Sequence, residues 1–467
     1  MSRLRRQIIA VALLLSGSFA SAPASAGELA FSDVNPYDIK FLIYEGKPEE
    51  AVAEAERLID GLRPTDNPVV LRLIGEILTN LCRAHRELGQ YAQAEAACLE
   101  ALATFEEGSK LNGTAGSYVF LLALPELAVT YEEMGEFEAA LEVRKRQLKR
   151  IDDGRRSDPK KVRLLTQIGE LHVSMGHFRE AEAAYLEAIA AKAEVWQEDR
   201  GPLTMPYINL TTLYRLEERF DRAEATLKEG IAETEKTSAG MTEAQSRLAF
   251  NLHAFKLSLL SQSFGWTYYQ QGRFNEARKV AGEVLASYER EGDADSWFAA
   301  DLKVLLARIE DAEHPGSPEA KRYLETAIEV SDEGNGLGYF FQAIARSELA
   351  RHHLLTGNDA AAEPLAREAV ETLVWALGED NYQTARAQFV LAQVLQHQTK
   401  YTEALAQAQF AFAAQWTYLP TYHSEIGETL SLMAELYTVL GEDDNHAATE
   451  SLLVQYRAER AKFERGN

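Results

Sequence analysis

The chain has 467 residues, 46% of them hydrophobic and only 13 of them proline. That is the composition of a folded chain, and it favours helix over sheet. A formal net charge of −24 makes phosphate backbones and anionic lipid poor partners.

The first 26 residues read as an export signal. Arg3, Arg5 and Arg6 give a basic start, and Ile8 to Leu15 is an apolar stretch too short to span a bilayer. Ala24-Ser25-Ala26 forms a small-x-small cleavage site that leaves Gly27 as the mature start. An uncleaved anchor is the alternative. A twin-arginine reading of Arg5-Arg6-Gln7-Ile8-Ile9 meets Leu4 where Ser or Thr is usual. No cysteine follows the apolar stretch, so no lipid attachment is expected at this cleavage site. Loss of the three arginines with the leader takes the net charge from −24 to −27. The expected location is the bacterial periplasm or the exterior, with no membrane insertion after signal removal.

From residue 27 to 467 one apolar pattern recurs. A degenerate unit surrounds Gly46 and Ala51. Next, Leu78, Leu81, Cys82 and His85 share one helical face at i, i+3, i+4, i+7. Gly89 and Tyr91 turn the chain, and Ala94, Cys98 and Ala101 form the inner face of a second helix. Leu124 to Tyr131 lead likewise through Gly135 to Ala140. Leu165, Ile168, Gly169 and His172 lead through Gly176 and Phe178 to Ala181, Tyr185 and Ala188. Further units run from Tyr207 to Leu227 and from Phe264 to Ala277, with a degenerate one around Leu306 and Ala320. Leu349 to Ala369, Leu391 to Ala411 and Leu430 to Phe463 complete about ten helical hairpins. Close approach of two helices needs small side chains between them, so Gly169 is expected to face Ala181, and Ala350 to face Ala362. Phe220 to Phe274 is 54 residues, twelve beyond the spacing of Phe178 to Phe220. A kink is therefore expected across 236–264, from a loop at Lys236 to Gly240 and an apolar run from Leu248 to Phe264. Gly334-Asn335-Gly336-Leu337-Gly338 follows a helix rather than a strand, so it reads as a loop and not as a dinucleotide site.

The small residue, Tyr, turn Gly, aromatic and Ala of each hairpin resemble the tetratricopeptide repeat. The resemblance covers nearly all of the chain after the leader. It implies an all-α solenoid, a right-handed superhelix of about ten antiparallel helix pairs. The common repeat is about 34 residues long, whereas Ala320, Ala362 and Ala404 stand 42 apart. That longer period is similar to the kinesin light chain type of repeat, and Ala361 to Leu395 is the stretch nearest to it. This subtype's early asparagine pair is replaced by Thr166-Gln167, Ile208-Asn209, Gln262-Ser263 and Phe389-Val390. The asparagine ladder that grips peptide backbone is thus mostly missing. By the same resemblance, first-helix positions facing away from the hairpin core line a concave groove. Here they are Arg83, Arg86, Arg163, Arg215, Trp266, Tyr269, Arg351, Arg386 and Phe389, joined by Glu132, Glu133 and Glu435. Arginine forks and aromatic area suit an extended or helical acidic segment of a protein or peptide partner. The alternative is that these arginines only pair with neighbouring glutamates.

Cys82 and Cys98 are the only cysteines and share one hairpin, with both positions facing inward. An oxidising compartment permits a bridge; two buried thiols are the alternative.

Catalytic constellations are not found. HExxH, GxSxG and a phosphate-cradling glycine loop are missing, so no catalytic residue, metal or cofactor is expected. His85, His172 and His353 fall at the inner aromatic position and read as core. His352 and His353 point about 100° apart on a helix and cannot chelate one metal. Asp443-Asp444-Asn445 lacks the glycine and distal glutamate of a calcium loop and reads as a solvated turn. The sequence thus points to a non-enzymatic scaffold. One alternative is a subunit that recruits substrate for a separate envelope enzyme such as a protease, since this chain ends in its last helix. Another is a cryptic hydrolase.

Overall fold

In a computed structural model the described residues are 34–112, 122–152, 159–194, 204–238, 260–291, 296–329, 337–379 and 381–466. The leader, most of the 236–264 segment and residues 334–336 lie outside them. All regular structure among the described residues is helical, and none of their helices is long and apolar enough to cross a membrane.

Among the described residues twenty helices pair in chain order into ten hairpins, as the repeat spacing predicts. The chain divides into two compact units. The N-terminal unit holds α1 (Pro36–Tyr44), α2 (Pro48–Leu62), α3 (Pro68–Glu87), α4 (Tyr91–Asn112), α5 (Leu124–Met134), α6 (Phe137–Asp152), α7 (Pro159–Ser174) and α8 (Phe178–Glu194). The C-terminal unit begins with α9 (Met205–Leu216), α10 (Phe220–Ser238), α11 (260–270), α12 (Phe274–Glu291), α13 (Trp297–Glu313) and α14 (Pro318–Ile328). It ends with α15 (Leu337–Leu355), α16 (Asp359–Leu377), α17 (Tyr382–His397), α18 (Tyr401–Tyr418), α19 (Ser424–Leu440) and α20 (Asp443–Gly466).

Every hairpin turns through one residue with positive φ. In eight turns it is glycine, from Gly46 (φ 75°) to Gly441 (φ 73°); in the other two it is Glu218 (φ 52°) and Thr399 (φ 62°). Left-handed backbone closes a helix by satisfying its last carbonyls, and glycine adopts it without steric cost. Some helix starts are capped by side chains: Asn67 Oδ1 accepts from Val69 N at 2.9 Å, and Asn381 Oδ1 from Gln383 N at 2.8 Å.

The alanines read as inner-face residues are inner. Ala320, Ala362 and Ala404 are each 0% exposed, and Ala350 and Ala362 pack in one apolar cluster. A β-carbon added at Gly169 would strike the Tyr185 ring, so the glycine makes room for that aromatic, and Ala181 is fully buried. In the N-terminal unit Cys82 and Cys98 form a disulfide with Cα atoms 5.3 Å apart, joining α3 to α4.

Three readings of local detail change. His353 is only half-buried, and His352 goes inside instead. The reason is Asp311, a buried carboxylate on α13 that needs a polar partner. His352 Nδ1 lies 2.9 and 3.0 Å from its two oxygens. His172 is half-buried, whereas His85 is inner and meets Gln90 Oε1 at 2.7 Å. Asp443-Asp444-Asn445 is the first turn of α20 rather than a free turn, a place where acids complement the helix dipole.

Candidate partner-binding cavity

The C-terminal unit encloses a cavity of about 620 Å³, within the size range of ligand pockets. Its wall comes mainly from the first helices of six successive hairpins: Arg215 on α9, Trp266 and Tyr269 on α11, Arg308 on α13, Glu348 and Arg351 on α15, Arg386 and Phe389 on α17, and Glu425 on α19. The repeat explains the gathering. Each hairpin presents the same helical face inward, so polar residues in one register of several repeats converge on one space.

Of the four carboxylates that line it, Glu348 and Glu425 pair with three of its five arginines. Glu348 accepts from Arg308 Nη2 and, at 2.8 Å, from Arg351 Nε, with only 6% of its side chain exposed. Burial alone would raise its pKa, but the two guanidiniums hold it well below the usual carboxylate range. Glu425 Oε1 accepts from the Tyr382 hydroxyl at 2.9 Å and pairs with Arg386 Nε at 3.4 Å. Burial in turn pushes the Tyr382 hydroxyl far up. A third acid, Asp301 on α13, accepts from Trp266 Nε1 at 2.7 Å and from Gln262. Its pKa is raised by burial, despite those bonds and the nearby Arg215 and Arg308.

Arg215 is the exception. It donates to Gln270 Oε1 at 2.6 Å and lies 6.0 Å from the Trp266 ring centroid. Among the described residues no carboxylate lies within ion-pair distance of it, in contrast to Arg308, Arg351, Arg386 and Arg460. Burial lowers its pKa to about 10, against the pull of Asp301. Other polar atoms of the wall are also unmet: Gln415 Oε1, on a residue 1% exposed, Glu425 Oε2 and Arg308 Nε have no hydrogen-bond partner. Buried polar atoms without partners are costly, and here several surround one space.

Of the nine groove residues expected from the sequence, Arg215, Trp266, Tyr269, Arg351, Arg386 and Phe389 line this cavity. The other three belong to the N-terminal unit. Arg83 and Arg86 both pair with Glu126, and Arg86 also with Glu133 at 3.1 Å. Arg163 is exposed on α7. Of the acids named with them, Glu132 holds Arg144 at 2.9 Å, and Glu435 accepts from Gln396 at 3.0 Å. Sequence reasoning missed Arg308, Glu348, Tyr382, Gln415 and Glu425. Arg308 sits in the degenerate unit, but its 43-residue spacing to Arg351 was a usable signal. Glu348 and Glu425 were hidden among 72 acids. No group of acids, histidines or cysteines that could hold a metal occurs among the described residues.

The ten hairpins define an all-α helix-pair solenoid. Sequence models of the tetratricopeptide repeat match residues 75–108 and 262–291, 162–194, and 123–159, so these stretches of the chain carry tetratricopeptide repeats. Among solved structures, a Podosopora anserina protein assigned as a kinesin light chain, with nearly identical repeats, is 21% identical over 48% of this chain and 100% of its own, at a TM-score of 0.34. A tetratricopeptide repeat protein from Parabacteroides merdae is 16% identical, covering 66% and 97% at a TM-score of 0.40. BtubC (BKLC) from P. vanneervenii is 14% identical, covering 64% and 91% at 0.27. A search of curated proteins gave no match.

Proposed function

We propose that this protein is an exported, non-enzymatic scaffold whose C-terminal cavity grips an extended or helical acidic segment of a partner protein. Tetratricopeptide repeats are protein-interaction scaffolds, and the repeats themselves support that much. The finer reading rests on one observation: Arg215, half-buried in the wall, has no carboxylate within ion-pair distance among the described residues. A half-buried guanidinium that feels Asp301 only from beyond ion-pair distance is a demand that an incoming carboxylate satisfies. Gln270 fixes its Nε and leaves the Nη atoms for a ligand. Export rests on the basic and apolar leader and its Ala24-Ser25-Ala26 site.

Fluorescence anisotropy with fluorescein-labelled hexaglutamate tests the reading. A charge-assisted hydrogen bond contributes roughly 1.5–3 kcal/mol, so Arg215→Ala is expected to weaken binding roughly 10- to 150-fold. Arg163→Ala, remote in sequence and exposed, is expected to change binding by less than about twofold. Equal loss in both variants, or in neither, would remove the cavity from the account.

A further inference from the structure

The hairpin turns carry an anomaly. Eight use glycine at the left-handed position, but the α9–α10 turn uses Glu218 and the α17–α18 turn uses Thr399. A β-carbon there is strained. Thr399 is exposed, with no side-chain hydrogen bond among the described residues. Glu218 is the opposite case, with 8% of its side chain exposed.

We infer that Glu218 is a positioning residue, a clasp that holds the last hairpin of the C-terminal unit to its first and so fixes the Glu425 wall of the cavity. Glu218 Oε1 accepts from Ser424 N at 2.9 Å, and Oε2 accepts from Arg460 Nη1 on α20. His423 Nε2 stands 4.0 Å from Oε1. The partners span 206 and 242 residues of chain, so the contact owes nothing to a neighbouring repeat. The surroundings reinforce it. Arg460 also donates to Tyr422 O at 3.2 Å, and Tyr422 stacks on Phe463 with centroids 4.2 Å apart. Beside the clasp, Leu216 packs into the apolar cluster of Ile426, Leu430 and Leu453. Burial would raise the Glu218 pKa, but the Ser424 amide and Arg460 hold it below the ordinary value, so the carboxylate stays ionised in the clasp.

The consequence reaches the site through α19. Ser424 is the first residue of that helix, and the next residue, Glu425, holds Arg386 and Tyr382 and has an unpartnered Oε2. Anchoring the Ser424 amide sets where Glu425 stands. This effect on ligand binding rests on the cavity being the partner site; the clasp itself does not.

The experiment compares the full chain with Glu218→Gly, Thr399→Gly and Arg460→Met by hydrogen-exchange mass spectrometry and hexaglutamate anisotropy. Both glycine variants relieve the same backbone strain. Thr399→Gly is expected to leave exchange unchanged or slower. Glu218→Gly is expected to speed exchange about tenfold or more at residues 420–426 and 455–463, in spite of the relieved strain. Arg460→Met should reproduce that pattern. Hexaglutamate affinity should fall about fivefold or more in Glu218→Gly, although that change removes a negative charge from the cavity lining; Arg460→Met also removes a lining cation and is read by exchange alone. If Glu218→Gly behaves like Thr399→Gly, the clasp is overturned. Faster exchange with wild-type affinity overturns the positioning role. If wild type does not bind hexaglutamate at all, the cavity reading fails, and the exchange result alone still decides the clasp.

Discussion

Glu348 shows how this fold handles a buried charge. Two guanidiniums answer one carboxylate, so the triad keeps a net positive charge in a protein of net −24. Replacing Glu348 with Gln leaves Arg308 and Arg351 facing each other in a poorly solvated wall. Breaking a buried pair by removing one partner costs about 3–5 kcal/mol, measurable by urea denaturation. The pH dependence has a definite sign. The Glu348 pKa is depressed in the folded state, so its stabilisation is complete above the unfolded glutamate value, about 4.3, and is lost as pH falls below that. Wild type should lose more stability than Glu348→Gln in acid below about pH 4. Parallel pH profiles would show that the triad is not coupled to folding. Gly169 is a second single-residue test. Gly169→Ala drives a methyl into the Tyr185 ring, and overpacking of this kind costs about 1–3 kcal/mol. No loss in a denaturant midpoint would mean that the ring has room to shift. Tyr185 was legible in the sequence as an inner residue, but its partner was not. Periodicity says which face a residue occupies, whereas side-chain length decides which residue across the hairpin it reaches.

At the scale of the helix pair, most was legible. The turn glycines, the inner alanines and the 42-residue spacing all follow from the need to pack helices closely and then turn. What stayed hidden were departures from the repeat. Glu218 replaces a turn glycine, and its role depends on partners more than 200 residues away. His352 rather than His353 goes inward because of Asp311, one repeat back. Neither could be read from a single hairpin. The α3–α4 pair carries the disulfide, which closes a short loop. A loop of that size contributes about 3 kcal/mol in the chain-entropy model. Intact-mass measurement after alkylation without reductant should show no labelled thiol on a mature chain starting at Gly27. Labelling of two thiols, or retention of Met1, would contradict the bridge or the export reading respectively.

At the scale of the molecule, the described helices of each unit stack on their neighbours, and the C-terminal unit gathers arginines, aromatics and unmet polar atoms into one space. In a protein of net charge −24, the proposed acidic segment is expected to bind where the repeat has gathered guanidiniums. The most direct test of this account is photo-crosslinking. A benzoylphenylalanine placed at Thr212, exposed on the cavity rim, is irradiated with labelled hexaglutamate, and the adduct is mapped by mass spectrometry. The account predicts a salt-sensitive adduct at this position, lost in Arg215→Ala and missing when the probe stands at Arg163. Equal labelling at both positions, or labelling indifferent to Arg215, would contradict it.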